Sequence, residues 1–284
     1  MRRMLIALAA TVLGLAACGT TTTPGASPSP SGTATAACTP STLHLYQPGQ
    51  LTVATDSPAY SPWFVNNNPS NGKGYESAVA YAIAQELGFT TSQVKWVVEP
   101  FDSSYAPGPK KFDFDINEIS ATSQREQAVT FSDSYYDTTQ ALVALKSNAI
   151  VAHHSPADLP KYLYGDQIGT TSLAYIQQYL KPTKTPAVFD TLNDVKAALD
   201  AHRIDAFVTD TPTAQYISSS EIPGSTVLGQ FPSTGEHYGL LFEKGNPLVG
   251  CVDQAIAKLK ANGTLARLQQ QWLGIYNEIP TIQP

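Results

Sequence analysis

Apolar and polar positions follow two periods along residues 51–273, and the two take turns. Leu51-Thr52-Val53-Ala54-Thr55-Asp56 has the every-other-residue alternation of a strand and runs into a Pro- and Tyr-rich loop at 57–64. Past Gly74, the residues Tyr75, Ala78, Val79, Ala82, Ile83 and Leu87 recur at helical spacing, and Gly88 marks the stop. Residues 94–98 predict a second strand, 112–119 a third despite its carboxylates, and 141–145 a strand leaving this first block. The second block repeats the rhythm, with a turn over 165–171, helices over 172–180 and 193–201, and strands over 204–210 and 238–242. A helix over 247–261, stopped by Asn262-Gly263, and an amphipathic helix over 264–273 complete it. Strands alternating with helices predict an α/β fold.

The N-terminal residues read differently. Met1-Arg2-Arg3 is a positive start, 4–15 is apolar, and Leu15-Ala16-Ala17-Cys18 follows. The apolar run is too short to cross a bilayer as a stable helix, so residues 1–18 read as a cleaved export signal. Small residues before a cysteine resemble the lipobox of bacterial lipoproteins, which implies cleavage before Cys18 and a diacylglycerol on its thiol. The alternative is an ordinary secretory signal cleaved near Ala16-Ala17. Residues 19–37 are almost wholly Thr, Pro, Gly, Ser and Ala, a composition that buries too little to offset the entropy of ordering. Such a linker would hold a folded body on the order of 25 Å from the lipid. The expected location is the outer face of the cytoplasmic membrane, by a lipid anchor.

Composition narrows the partners. The formal net charge is −6, and Lys and Arg form no cluster, which argues against nucleic acid. Charged residues are 14% of the chain, well under the common share, and tyrosines number 14. Cys38 and Cys251 remain in the body. In an exported chain one pair suggests one disulfide, the alternative being two buried free thiols. A bridge would close a very long loop, worth about 4–5 kcal/mol in the chain-entropy model. There is no CxxC pair and the five histidines have no ligand spacing, so neither a metal nor another cofactor is expected.

Five segments stand in a telling order. Leu51 to Asp56 leads into Tyr60-Ser61-Pro62-Trp63-Phe64, and Gly74-Tyr75-Glu76 opens the helix that ends Gln85-Glu86-Leu87-Gly88. Ser120-Ala121-Thr122-Ser123-Gln124-Arg125 continues to Phe131-Ser132-Asp133-Ser134-Tyr135-Tyr136. Gly169-Thr170-Thr171-Ser172 and Arg203-Ile204-Asp205-Ala206-Phe207-Val208-Thr209-Asp210 follow. Together they resemble the family 3 extracellular solute-binding proteins, the amino-acid receptors of ABC importers. The resemblance implies a two-lobed, type II periplasmic-binding-protein-like fold, with the ligand cleft between lobes joined by two crossover strands. Residues 38–135 and 239–284 would form the large lobe, with both cysteines in it, and 139–234 the small lobe. Closure about the ligand would be a hinge motion.

The resemblance also implies roles. Arg125 would clamp the ligand carboxylate, since its planar fork matches carboxylate bidentately and keeps its charge when desolvated. Thr170 and Thr171 would add donors from a helix N-terminus, and Asp210 would accept the ammonium. Ser120 and the backbone around Glu118 would bond the same groups. Tyr60 and Tyr75 would sandwich the side chain, and Asp56 would read its distal end with Gln167 and Thr209 helping. Three departures from the family pattern stand out, and the last bears on specificity. Where the family reads Gly-Phe-Asp-x-Asp, this chain has Gly74-Tyr75-Glu76-Ser77-Ala78, and a loop over 104–111 replaces a helix. Glu118 stands where small residues are common; with Asp56 it would put two carboxylates near the cleft and favour an amide or cationic side chain.

The leading expectation is a monomeric, non-enzymatic receptor that delivers a polar amino acid to an ABC permease. A cyclohexadienyl dehydratase-like enzyme on the same fold is one alternative, needing a raised-pKa acid among Asp210, Glu118 or Asp56. An amino-acid sensor for a signalling partner is another, disfavoured by the short stretch 279–284 after the last predicted helix.

Overall fold

The computed structural model describes residues 38–274 and 279–284. The signal 1–18, its Cys18 and the linker 19–37 lie outside the described residues. In chain order the first elements are β1 (Leu51–Thr55), α1 (Tyr75–Glu86), β2 (Val94–Val98), the single turn α2 (Phe101–Ser104), β3 (Phe114–Asp115) and β4 (Val129–Phe131). Next come β5 (Tyr136–Asp137), β6 (Gln140–Leu145), β7 (Gly165–Gln167), α3 (Thr171–Tyr175), β8 (Ala187–Phe189) and α4 (Leu192–Asp200). They are followed by β9 (Ala206–Asp210), α5 (Thr211–Tyr216), β10 (Ser225–Gln230), β11 (His237–Tyr238), β12 (Leu241–Glu243), α6 (Leu248–Ala261) and α7 (Thr264–Leu273).

The first sheet has the order β2-β1-β3-β12-β4. β1 is parallel to both neighbours and all five of its residues are buried. That is why its sequence carries little strong polarity: a strand covered on both faces has no side to spare for water. α1 lays Val79, Ala80 and Ile83 on this sheet, and α6 adds Val252, Ala255 and Ile256 to the same core. Cys38 and Cys251 form a disulfide with Cα atoms 5.5 Å apart, tying the start of the described chain to α6.

The second sheet has the order β10-β6-β9 and is antiparallel, with β6 buried throughout. Alternation sorts its side chains. Ala141, Val143 and Leu145 pack with Val195 and Leu199 of α4, while Leu142 and Ala144 pack with Tyr164, Tyr175 and Leu180 on the other face. Between the sheets, β5 and β11 pair antiparallel through Tyr136–Tyr238 and Asp137–His237. The chain passes this pair once in each direction, from β4 to β6 and from β10 to β12. Two sheets with helices, joined by two crossover strands, make the α/β, two-lobed periplasmic-binding-protein-like fold.

Several elements differ from their predicted form. The strand over 112–119 shrinks to two residues because the Asp113 carboxylate takes the N–H groups of Tyr46 and Thr52, each at 2.6 Å, and Glu118 turns the chain at φ +51°. The strand over 238–242 breaks at Gly239, whose N–H donates to Ile119 O at 3.2 Å. The helix over 172–180 widens into a π-turn after Tyr175. Residues 279–284, expected with the large lobe, lie instead along β10. Gln230 donates its N–H to Pro280 O (2.9 Å), Ile282 donates its N–H to Gln230 O (2.8 Å), and Ile279 and Ile282 pack on the small-lobe clusters. β10 is an edge strand with unpaired backbone groups on that side. Gly229 makes room there, since a Cβ would stand 2.5 Å from Pro280 O.

Candidate ligand-binding site

The carboxyl ends of the strands converge on a cavity between the lobes, where ligands of open α/β sheets bind. Asp56 after β1, with Tyr60, Phe101, Asn117 and Glu118, forms one wall. Asp166 and Gln167 of β7, Thr170, Thr171 and Ser172 at the start of α3, Leu192 of α4, and Thr209 and Asp210 of β9 form the other.

Hydrogen bonds join the walls. Trp63 Nε1 donates to Thr213 Oγ1 at 2.7 Å, and Thr213 Oγ1 donates to Glu118 Oε2 at 2.9 Å. Glu118 is held on the wall by its own N–H, which donates to Glu76 Oε1 at 2.6 Å. Burial, then the charges of Glu76 and Asp210, push the Glu118 carboxyl well above the usual range.

Arg125 makes a further crossing. Its Nη1 donates to Ser120 O at 2.8 Å and its Nη2 to Gly169 O at 3.0 Å on the opposite lobe. The guanidinium stacks 4.7 Å from the Tyr105 ring and 5.2 Å from Phe101. Gly169 permits this approach: at φ +74°, a Cβ there would stand 2.2 Å from the Tyr105 hydroxyl. Arg125 is 7% exposed, yet among the described residues no carboxylate lies within ion-pairing distance of it. A buried cation without a counter-ion is costly and is normally paired.

A second hydrogen-bond cluster is built around Gln140. Its Nε2 donates to Asp210 Oδ1 (2.9 Å) and Glu236 Oε2 (2.8 Å), and its Oε1 accepts from Ser172 Oγ (2.7 Å). Ser120 Oγ donates to Glu236 Oε1 at 2.6 Å. Burial first, and the Glu236 charge second, raise the Asp210 carboxyl well above the usual range. Thr170 caps α3, accepting the Leu173 N–H at 3.0 Å and donating to Gln167 O at 2.8 Å. Asp56 accepts the Ser57 N–H at 2.6 Å, and burial raises its carboxyl too. Tyr60 spans the lobes, its ring 5.1 Å beneath Lys196 Nζ of α4.

The structure thus brings Asp56, Tyr60, Glu118, Gln167, Thr170, Thr171 and Asp210 to the cavity, with Ser120 and Arg125 immediately beside its Thr171–Gly169 end. Tyr75 is not there. It is fully buried, donates to Tyr135 O at 2.8 Å, and packs edge-on against Trp63 and Tyr136 at 6.0 and 5.4 Å. As the first residue of α1 it faces the core with the rest of that helix. The aromatic that shares the cavity with Tyr60 is Phe101. Sequence reasoning missed Phe101, Asn117, Asp166, Ser172, Leu192 and Glu236; of these only Ser172 had a local signal, as the last residue of the Gly169-Thr170-Thr171-Ser172 segment.

Among the described residues four carboxylates, Asp56, Glu118, Asp166 and Asp210, line the cavity, and no Lys or Arg does. The arrangement offers a cationic fork and helix-start donors at one end and carboxylates along the rest. It suits a zwitterion better than an anion.

The chain matches the model of the bacterial extracellular solute-binding proteins, family 3, over residues 51–275, and it belongs to that family. The L-arginine-binding protein of Pseudomonas aeruginosa is 27% identical over 237 residues, spanning 78% of this chain and 90% of that one. An ancestral arginine-binding protein bound to arginine has the same fold, with TM-score 0.68 and 29% identity over 80% of this chain and 99% of that one. An ancestral amino acid-binding protein, a precursor of cyclohexadienyl dehydratase, matches with TM-score 0.66 and 28% identity over 79% and 95% of the two chains. The relatives are named as binding proteins, and members of the family are extracellular or periplasmic.

Proposed function

We propose that this chain is the receptor of an ABC importer for a polar L-amino acid with an amide or cationic side chain, lipid-anchored through Cys18 and working as a monomer beside its permease. The observation that carries the reading is Arg125, buried at the cleft without a carboxylate partner and hydrogen-bonded to carbonyls of both lobes. The ligand carboxylate would complete its coordination, Asp210 would accept the ammonium, and the side chain would run past Tyr60 and Phe101 toward Asp56 and Glu118. Such a ligand touches both lobes at once, so it stabilises the closed form by its differential affinity. The β5–β11 pair would be the hinge. Relatives named for arginine, histidine and cystine support a polar substrate.

A thermal-shift screen against the twenty amino acids, ornithine, citrulline and prephenate tests the reading, because a ligand raises the melting temperature by mass action. A shift with one polar amino acid supports it, and a flat screen against all of them defeats it. A second reading, an enzyme in the same cleft, is favoured by the raised carboxyls of Glu118 and Asp210, which suit a general acid. Turnover of prephenate would establish it.

A further inference from the structure

β7 carries a cleft residue that the site described above does not use. Asp166 is 2% exposed and lines the cavity from the small lobe. Its Oδ1 accepts the Gln167 N–H at 2.8 Å and the Val208 N–H faces the carboxyl, while its Oδ2 is buried with no partner at hydrogen-bond geometry. No ion pair among the described residues includes it. A carboxylate oxygen left dry and unpaired is expensive, and a valine would fill a buried strand position more cheaply.

Register shows what Asp166 faces. The parallel bridge between Tyr164 and Ala206 sets Asp166 beside Val208, two residues before Asp210 on the neighbouring strand. Side chains two apart on a strand share a face. Asp166 and Asp210 therefore stand on one face at the same end of the small lobe, both opening on the cavity. Gln140 donates to Asp210 alone of the two.

We infer that Asp166 and Asp210 form a two-carboxylate seat for the ligand's α-ammonium, with Asp166 Oδ2 accepting one of its N–H bonds. The inference rests on the amino-acid reading above and adds a binding residue to that same site. An ammonium has three donors, and two carboxylates on one face can accept two of them while sharing a single positive charge. The seat makes the α-nitrogen, and not the α-carboxylate alone, a determinant of affinity.

The test is a calorimetric cycle on the full chain, with L-arginine and L-glutamine as probes beside their 2-hydroxy analogues, which lack the α-nitrogen. The wild type is compared with Asp166→Asn. The variant is expected to weaken the amino acid by about tenfold or more, while the hydroxy analogue changes by less than about threefold, so the two losses are coupled. Equal losses for both ligands, or no loss for either, overturn the seat. If the wild type binds neither, the polar amino acid that shifts the melting temperature in the screen takes their place beside its 2-hydroxy analogue, and if none of the twenty binds, the receptor reading falls first and the inference with it. Should Asp166→Asn fail to fold, a structure of the wild-type complex decides the matter. An α-nitrogen about 3 Å from Asp166 Oδ2 supports the seat, and one bonded by Asp210 without Asp166 refutes it.

Discussion

Arg125→Met separates binding from folding. The substitution keeps an unbranched apolar stem against Phe101 and Tyr105 but removes the charge and all donors. In the ligand-free chain two effects oppose each other: a buried, unpaired cation disappears, and Ser120 O and Gly169 O each lose a donor. The net change is expected to stay near 1 kcal/mol, or about 2–4 °C in melting temperature for a body of this size. With ligand the outcome is different. Losing one partner of a desolvated charge pair costs about 2–5 kcal/mol, roughly 30-fold to several thousandfold in Kd. At a ligand concentration 1,000 times the wild-type Kd, binding stabilises the wild type by about 4.1 kcal/mol, a shift of roughly 8–16 °C. A thousandfold weakening leaves about 0.4 kcal/mol, a shift of roughly 1 °C. Thermal unfolding with and without ligand reads both quantities. A variant that keeps the full ligand shift refutes the clamp, and so does one that loses it only because its ligand-free melting temperature collapses.

Three further outcomes follow from the same geometry. Burial raises the Glu76 carboxyl from 4.5 to about 7, so between those values the folded chain holds a proton that the unfolded chain has released. Its contribution is therefore fully present below about 4.5 and lost as pH rises through about 7. The melting temperature of the ligand-free chain should decline across that window and decline less in Glu76→Gln; a steady climb in both contradicts the assignment. Replacing Cys38 and Cys251 by serine removes a link worth about 4–5 kcal/mol in the chain-entropy model and should lower the melting temperature by roughly 8–20 °C. Calorimetric affinity should hold, because both residues pack on the large-lobe core away from the cavity. Deleting residues 279–284 uncovers the apolar groups under Ile279 and Ile282 and should cost about 2 kcal/mol, or roughly 4–8 °C; an unchanged melting temperature would show that the segment adds nothing.

What could be read from the sequence was what local periodicity controls. α7 occurs over the predicted residues, and α6 within one residue, because each has a clear apolar stripe and a turn signal at its end. β1 was read from its alternation, and it occurs over Leu51–Thr55 although the strand is buried on both faces, its two threonines included. β3 was not, since a side-chain carboxylate, rather than a neighbouring strand, takes backbone N–H groups beside it. Tyr75 shows two readings in conflict: its helical spacing with Ala78 and Val79 pointed to the core, the resemblance pointed to the cleft, and the core reading holds in the structure. Asp166 had no local signal at all. Its meaning depends on Val208 and Asp210, some forty residues on, Val208 lying in register beside it. The course of residues 279–284 was hidden for a related reason, as an edge strand accepts backbone partners of almost any sequence.

The central claim is that the cleft binds a free amino acid through Arg125 and Asp210. Isothermal titration of the purified chain with each of the twenty L-amino acids tests it most directly. The account predicts saturable one-to-one binding of a polar amino acid, lost in Arg125→Met and Asp210→Asn. No heat with any of the twenty, or binding that survives both substitutions, would contradict it.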